Sequence, residues 1–163
     1  MTKPTLYIET SVISYLVAKP SRDIIVAANQ QVTREWWEQR LGDYDAYVSE
    51  IVVLEVSAGD VEYAKKRLDV LQQIPELGVN DEIRLFAELL LDTTSLPLKA
   101  ERDALHIAIT AVHNINYLAT WNCRHIANAH IRREVNRKCV ERSYTMPIIC
   151  TPLELLGEED HVD

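Results

Sequence analysis

Residues 103–128, DALHIAITAVHNINYLATWNCRHIAN, decide how this chain is read. An acid, Asp103, stands where a helix would begin. Leu105, Ile107, Ala108, Ile109, Ala111 and Val112 follow at mostly helical spacing. Asn114 and Asn116 can end that helix without a glycine, because asparagine tolerates the left-handed backbone conformation. Tyr117, Leu118 and Ala119 then read as a short buried strand running into a polar mouth, Thr120, Trp121 and Asn122. The segment predicts a helix with a carboxylate at its entrance, delivering a strand with polar side chains at its carboxyl end. In open α/β sheets that is the edge where ligands bind. The competing reading makes Asp103 only a helix-start charge favoured by the macrodipole.

Outward from this stretch, short apolar runs alternate with helical patterns. Leu6, Tyr7 and Ile8 form a first strand, Glu9, Thr10 and Ser11 a polar turn, and Val12, Ile13, Tyr15, Leu16 and Val17 a helix. Ser21 is expected to cap a helix over 22–41, its hydroxyl accepting a free backbone N–H. Ala46, Tyr47 and Val48 make a second strand. Ser49 caps the next helix, which carries Glu55 and ends at Gly59. Asp60 caps another, stopped by Pro75. A third strand is expected over 77–79, with Asn80 or Asp81 opening the helix of Ile83, Phe86, Leu89 and Leu90. Residues 147–150 give a last strand, and Thr151-Pro152 a helix start with proline at its first position. This alternation implies a three-layer α/β/α fold with a central, mostly parallel sheet. One domain is expected over 1–156. Residues 157–163 hold four acids and no base, and are expected to be a disordered tail.

Composition narrows the function classes. The chain has 163 residues, 47% apolar and 26% charged, as in an ordinary globular protein. No run of about 18 apolar residues exists to cross a membrane, and MTKPTLYIETS lacks the pattern of a signal peptide. Three cysteines without framework spacing fit a reducing cytoplasm better than a disulfide scaffold. The net charge of −8 opposes non-specific attraction to a polyanion. A local exception follows Asn122. Residues 123–142 hold six basic residues against two acids, a net +4 that leaves −12 for the rest. Arg124, Arg132 and Arg133 are the candidate contacts for RNA in that stretch; otherwise it is a solvated helix face.

Four polar residues recur at strand ends or on the helices beside them: Glu9, Glu55, Asp103 and Asn122. Right-handed crossovers would place adjacent strand ends along one edge of the sheet. Three carboxylates converging there repel one another unless a cation neutralises them. A hard ion with oxygen ligands, Mg²⁺ or Mn²⁺, fits that set, and such an ion supports phosphodiester hydrolysis. Glu55 lies among Val52, Val53, Leu54 and Val56, where a lone acid is either paired or a ligand.

LYIETSVIS, VSEIVVLEVSAG and residues 103–128 together resemble the PIN domain, the metal-dependent ribonuclease fold of VapC-type toxins. The resemblance covers the chain to about residue 156, and its last segment is the most specific. It implies a PIN-like parallel sheet, an acidic pocket, Mg²⁺ or Mn²⁺, and hydrolysis of RNA. It also implies a small antitoxin protein as partner, and a homodimer. The family's acids fall on Glu9, Glu55 and Asp103, its fourth acidic position on Asn122, and its small hydroxyl residues on Thr10, Ser11 and Thr120. Two positions depart from the pattern. Glu9 is one methylene longer than the usual Asp, and Asn122 replaces a carboxylate by a neutral amide. The alternative is therefore a catalytically weak PIN-like module that binds RNA or regulates.

Other features read more plainly. His106 lies within an apolar run and is read as a packed histidine rather than a base or ligand. Cys123, His125, His130 and Cys139 match no familiar zinc spacing. Trp36 and Trp37 could stack bases, but are read as one core and one interface residue. A receiver-like domain would need a phosphorylatable Asp in place of Glu9.

Overall fold

Leu6, Tyr7 and Ile8 are fully buried. A strand covered on both faces belongs at the centre of a parallel sheet. In the computed structural model, which describes residues 2–157, this strand is β1 (Thr5–Ile8). It lies between β2 (Asp45–Ser49) and β4 (Tyr117–Ala119), with β3 (Glu76–Leu77) outside β2 and β5 (Ile148–Cys150) outside β4. All four pairings are parallel, with Tyr7 opposite both Tyr47 and Leu118. The chain builds one half of the sheet outward from β1, then returns to the other side of β1. That reversal opens a crevice at the carboxyl ends of β1 and β4, the usual ligand position in such sheets.

Among the described residues eight α-helices cover the sheet: α1 (Thr10–Val17), α2 (Ile24–Arg40), α3 (Glu50–Val56), α4 (Val61–Leu71), α5 (Asp81–Thr93), α6 (Glu101–Val112), α7 (Ala129–Glu141) and α8 (Pro152–Leu156). The architecture is three-layered α/β/α, as expected. Side-chain caps set most starts: Ser49, Asp60, Asn80 and Asn128 each accept an N–H of the following turn. Thr151 and Glu154 form a reciprocal capping box with Pro152 at the first position. Asn114 takes the left-handed conformation at φ 55°. The Ile115 N–H then reaches the Thr110 carbonyl at 2.9 Å and the Asn114 N–H that of Ala111 at 3.2 Å, so asparagine closes α6 as glycine usually does.

Three expectations need correcting. Asp23, not Ser21, caps α2, by accepting the Val26 N–H at 3.0 Å. Ser21 accepts the Asp23 N–H instead, and Gln30 reaches back to Lys19 and Ser21, holding this segment outside the helix. The third strand is Glu76–Leu77 rather than 77–79. It pairs with Val48 and Ser49, and β2 ends at Ser49 because that residue caps α3, so Val79 has no partner strand. Helix α6 begins at Glu101 behind a 3₁₀ turn at Leu98–Ala100, which places Asp103 third in the helix. Apart from Gly157, the expected acidic tail lies outside the described residues. Among those described, no helix is long and apolar enough to cross a membrane.

Candidate active site

Glu9 directly follows β1 and caps α1. One oxygen accepts the Ser11 N–H at 2.5 Å and the other the Thr120 hydroxyl at 3.1 Å. The side chain is buried, and burial pushes its carboxyl up; His106 and Ser11 oppose this rise and Glu55 adds to it. Ser11 Oγ accepts the Trp121 N–H at 2.8 Å, and Thr120 Oγ1 accepts the Asn122 N–H at 2.9 Å. These hydroxyls tie the end of β1 to the end of β4. Across the crevice, Glu55 on α3 accepts from Thr10 Oγ1 at 2.9 Å and from His106 Nε2 at 2.5 Å, both on Oε1.

Asp103 makes no cap. Its Oδ1 accepts from Asn122 Nδ2 at 3.1 Å, and its Oδ2 faces His125 Nδ1 at 2.9 Å. No side-chain cap closes α6, whose N-cap is Ala100. The carboxylate is turned to the crevice loop rather than to the helix end, which argues against a macrodipole role alone.

His106 is buried, as read from its apolar run, but it is not merely packed. Its Nδ1 lies 2.6 Å from the Tyr7 hydroxyl, which lies 2.8 Å from Ser49 Oγ. Burial opposes a charge on His106, but Glu55, Glu9 and Asp103 outweigh it and raise the imidazole above its ordinary value. Burial would also raise Glu55, yet the hydrogen bond and charge of His106, with Thr10 and Arg102, hold its carboxyl below the ordinary value. The opposite shifts favour an ion pair between the two when His106 is protonated. Tyr7, desolvated among acids, is pushed well above the usual phenol range.

The donor set is chemically suited to a hard divalent cation. Glu9, Glu55 and Asp103 are all oxygen donors within electrostatic reach of His106. They are not a preformed cage, since among the described residues no three His, Cys, Asp or Glu side chains are arranged to hold an ion. Each carboxylate instead faces a donor of the protein. Asn122 turns its carbonyl oxygen into its own loop, where it accepts the N–H groups of Arg124 and His125 at 3.2 and 3.0 Å. Only its amide nitrogen faces Asp103.

This arrangement sits on a fold already seen. The chain aligns with one in the crystal structure of VapBC2 from Rickettsia felis bound to a DNA fragment from their promoter, at TM-score 0.55 and 16% identity. The match covers 90% of this chain and 98% of that one. At that identity the likeness is one of fold. No family model matches the sequence, and no curated protein does.

Of the three candidate RNA contacts, Arg124 and Arg133 are exposed. Arg132 is half-buried and donates to the Ile149 carbonyl at 3.1 Å, so it ties α7 to β5. A cavity of about 500 Å³ lies elsewhere, lined by α5 residues with Arg142 and Tyr144. Its Glu82 is engaged by the Tyr144 hydroxyl, and none of the four candidate residues lines it. Sequence reasoning missed Tyr7, Ser49 and His125 at the crevice. For Tyr7 a signal existed, because a phenol in a doubly covered strand needs a partner for its hydroxyl. His125 had only its position three residues after Asn122.

Proposed function

We propose that this protein is a metal-dependent endoribonuclease of the VapC type. The observation that carries this reading is the placement of Glu9, Glu55 and Asp103 around the crevice between β1 and β4, beside the hydroxyls of Thr10, Ser11 and Thr120. Glu9, Glu55 and Asp103 would hold Mg²⁺ or Mn²⁺. When bound, that ion supplies Lewis-acid stabilisation of the charge developing on a scissile phosphate. Ser11 and Thr120 fix the two strand ends around Glu9. Thr10 and His106 fix Glu55, and Asn122 with His125 fixes Asp103. Arg124, exposed just beyond Asn122, would bind the RNA backbone, with Arg133 further along α7.

The same reading makes the chain the toxin of a toxin–antitoxin pair, blocked by a small antitoxin protein. The shared fold with VapBC2 supports this role. It also makes the protein a homodimer, for which Ile24, Ile25, Leu54 and Val61 offer exposed apolar surface. A second reading, an RNA-binding module that cuts weakly, draws on Asn122, whose amide already engages Asp103.

The test compares wild type with Asp103→Asn on a mixed RNA pool in Mg²⁺, Mn²⁺ or EDTA. Cleavage that needs metal and disappears in the variant is the expected result. Equal cleavage by both proteins sinks the site assignment. Folded wild type that binds RNA without cutting it in any condition selects the second reading.

A further inference from the structure

We propose that Tyr7 and His106 are positioning residues for Glu55, and that they hold its carboxylate through a hydrogen-bonded chain anchored at Ser49. This inference rests on the nuclease reading. Ser49 ends β2 and caps α3, where its Oγ accepts the Val52 N–H at 3.4 Å. From Ser49 the chain passes to Tyr7 in the central strand, to His106 on α6, and back to Glu55 on α3. It begins at the cap of α3 and ends on α3 itself, so it closes a ring that clamps this helix to the sheet and to α6.

Packing alone does not require these residue types. Phenylalanine and leucine would fill positions 7 and 106, whereas a buried hydroxyl and imidazole cost free energy unless each polar atom is paired. Here each one is. A carboxylate only accepts, so Nε2 carries the hydrogen toward Glu55 whichever way the protons run through the hydroxyls. Both hydrogen bonds of Glu55 fall on Oε1. Oε2 has no partner among the described residues, and the Glu55 side chain is 22% exposed. The ring thus occupies one oxygen and leaves the other for the crevice. His106 also stands one helical turn from Asp103, so the element that orients Glu55 carries the next acid.

The experiment measures Mn²⁺ binding by calorimetry, and kcat and KM for RNA, in wild type, Tyr7→Phe, His106→Gln and His106→Leu. Outer partners of metal ligands typically contribute a factor of about 10 or more to affinity or activity. Tyr7→Phe keeps the ring, and is expected to weaken Mn²⁺ binding about 10-fold and to lower kcat with KM unchanged. His106→Gln, whose amide N–H can still reach Glu55, should retain more binding than His106→Leu. Unchanged Mn²⁺ affinity and kcat in Tyr7→Phe and His106→Leu, with only a lower melting temperature, would show a structural role and overturn the proposal. Wild type that neither binds Mn²⁺ nor cleaves RNA overturns the nuclease reading itself, and the positioning role with it. The two failures differ because the second appears in wild type.

Discussion

Replacing Asn122 by aspartate tests how the site manages its charge. The Asn122 oxygen accepts two loop N–H groups, a task an aspartate oxygen performs equally well. The Asn122 nitrogen, however, donates to Asp103 at 3.1 Å. In Asn122→Asp that donor becomes a second carboxylate oxygen. Two charges about 4 Å apart at an effective dielectric of about 20 repel by about 4 kcal/mol. Screening reduces this, since the Asp103 side chain is 21% exposed, while loss of a hydrogen bond to a charged group adds about 1.5–3 kcal/mol. A net loss of about 3 kcal/mol follows, which for a chain of this length lowers the melting temperature by about 6–12 °C. This holds in EDTA at neutral pH. An ion bound between the two carboxylates offsets most of this loss, because ligand at about 100 times its Kd returns about 2.7 kcal/mol to the folded state. Thermal melts of both proteins with EDTA and with Mn²⁺ read this directly. The variant should be the less stable protein in EDTA and should gain more than wild type on adding Mn²⁺. A variant as stable as wild type in EDTA would refute the Asn122–Asp103 contact. A destabilised variant indifferent to Mn²⁺ would refute the cation site.

Three further outcomes follow from individual contacts. Glu55, held below its ordinary 4.5, contributes stability present above that pH and lost as pH falls through its folded value. His106, raised above its ordinary 6.5, contributes stability fully present below that pH and lost as pH rises through its folded value. The urea midpoint of wild type relative to His106→Leu should therefore peak between pH 4.5 and 6.5, and an advantage that keeps growing above that window would contradict the ion pair. Asn114→Ala should cost about 1–2 kcal/mol in urea melts, because a β-carbon without a local hydrogen-bonding group disfavours the left-handed conformation, whereas Asn114→Gly should hold its stability. Arg124→Ala and Arg133→Ala should weaken RNA binding and flatten its salt dependence without shifting the melt, while Arg132→Ala should lower the melting temperature by freeing the Ile149 carbonyl.

The parts of the fold legible in the sequence are those with local causes. Leu6 to Ile8 read as a strand because burial on both faces needs a continuous apolar run, and Thr151 with Pro152 and Glu154 carries its helix start in three residues. Asn114 could be named as a helix end from its residue type. The third strand could not be placed, since its register is set by Ser49 on another element. Ser21 and Asp23 were both competent caps, and the side chain of Gln30 decides between them from the far side of a helical turn. At the site, the acids stood out as polar residues beside apolar runs. Their partners did not, because His106, Tyr7 and His125 meet them only through pairings across the fold.

Those partners also give Glu9 and Asn122, the two positions where the sequence departs from the pattern it resembles, a common physical account. Glutamate is not a favoured helix cap, yet the longer side chain of Glu9 folds back to the Ser11 N–H while its other oxygen reaches Thr120 on the far strand. Asn122 removes one negative charge and spends its amide on Asp103. In both places an acidic crevice is stabilised by donors of its own chain, and the two histidines, on Glu55 and on Asp103, do the same. A cation entering beside Glu9 and Asp103 competes with hydrogen bonds already formed instead of relieving bare repulsion, whereas on Glu55 the His106 bond leaves Oε2 open to it. Its affinity then depends on how readily those donors give way, and Asn122→Asp, by turning one donor into an acceptor, changes that balance without moving the loop.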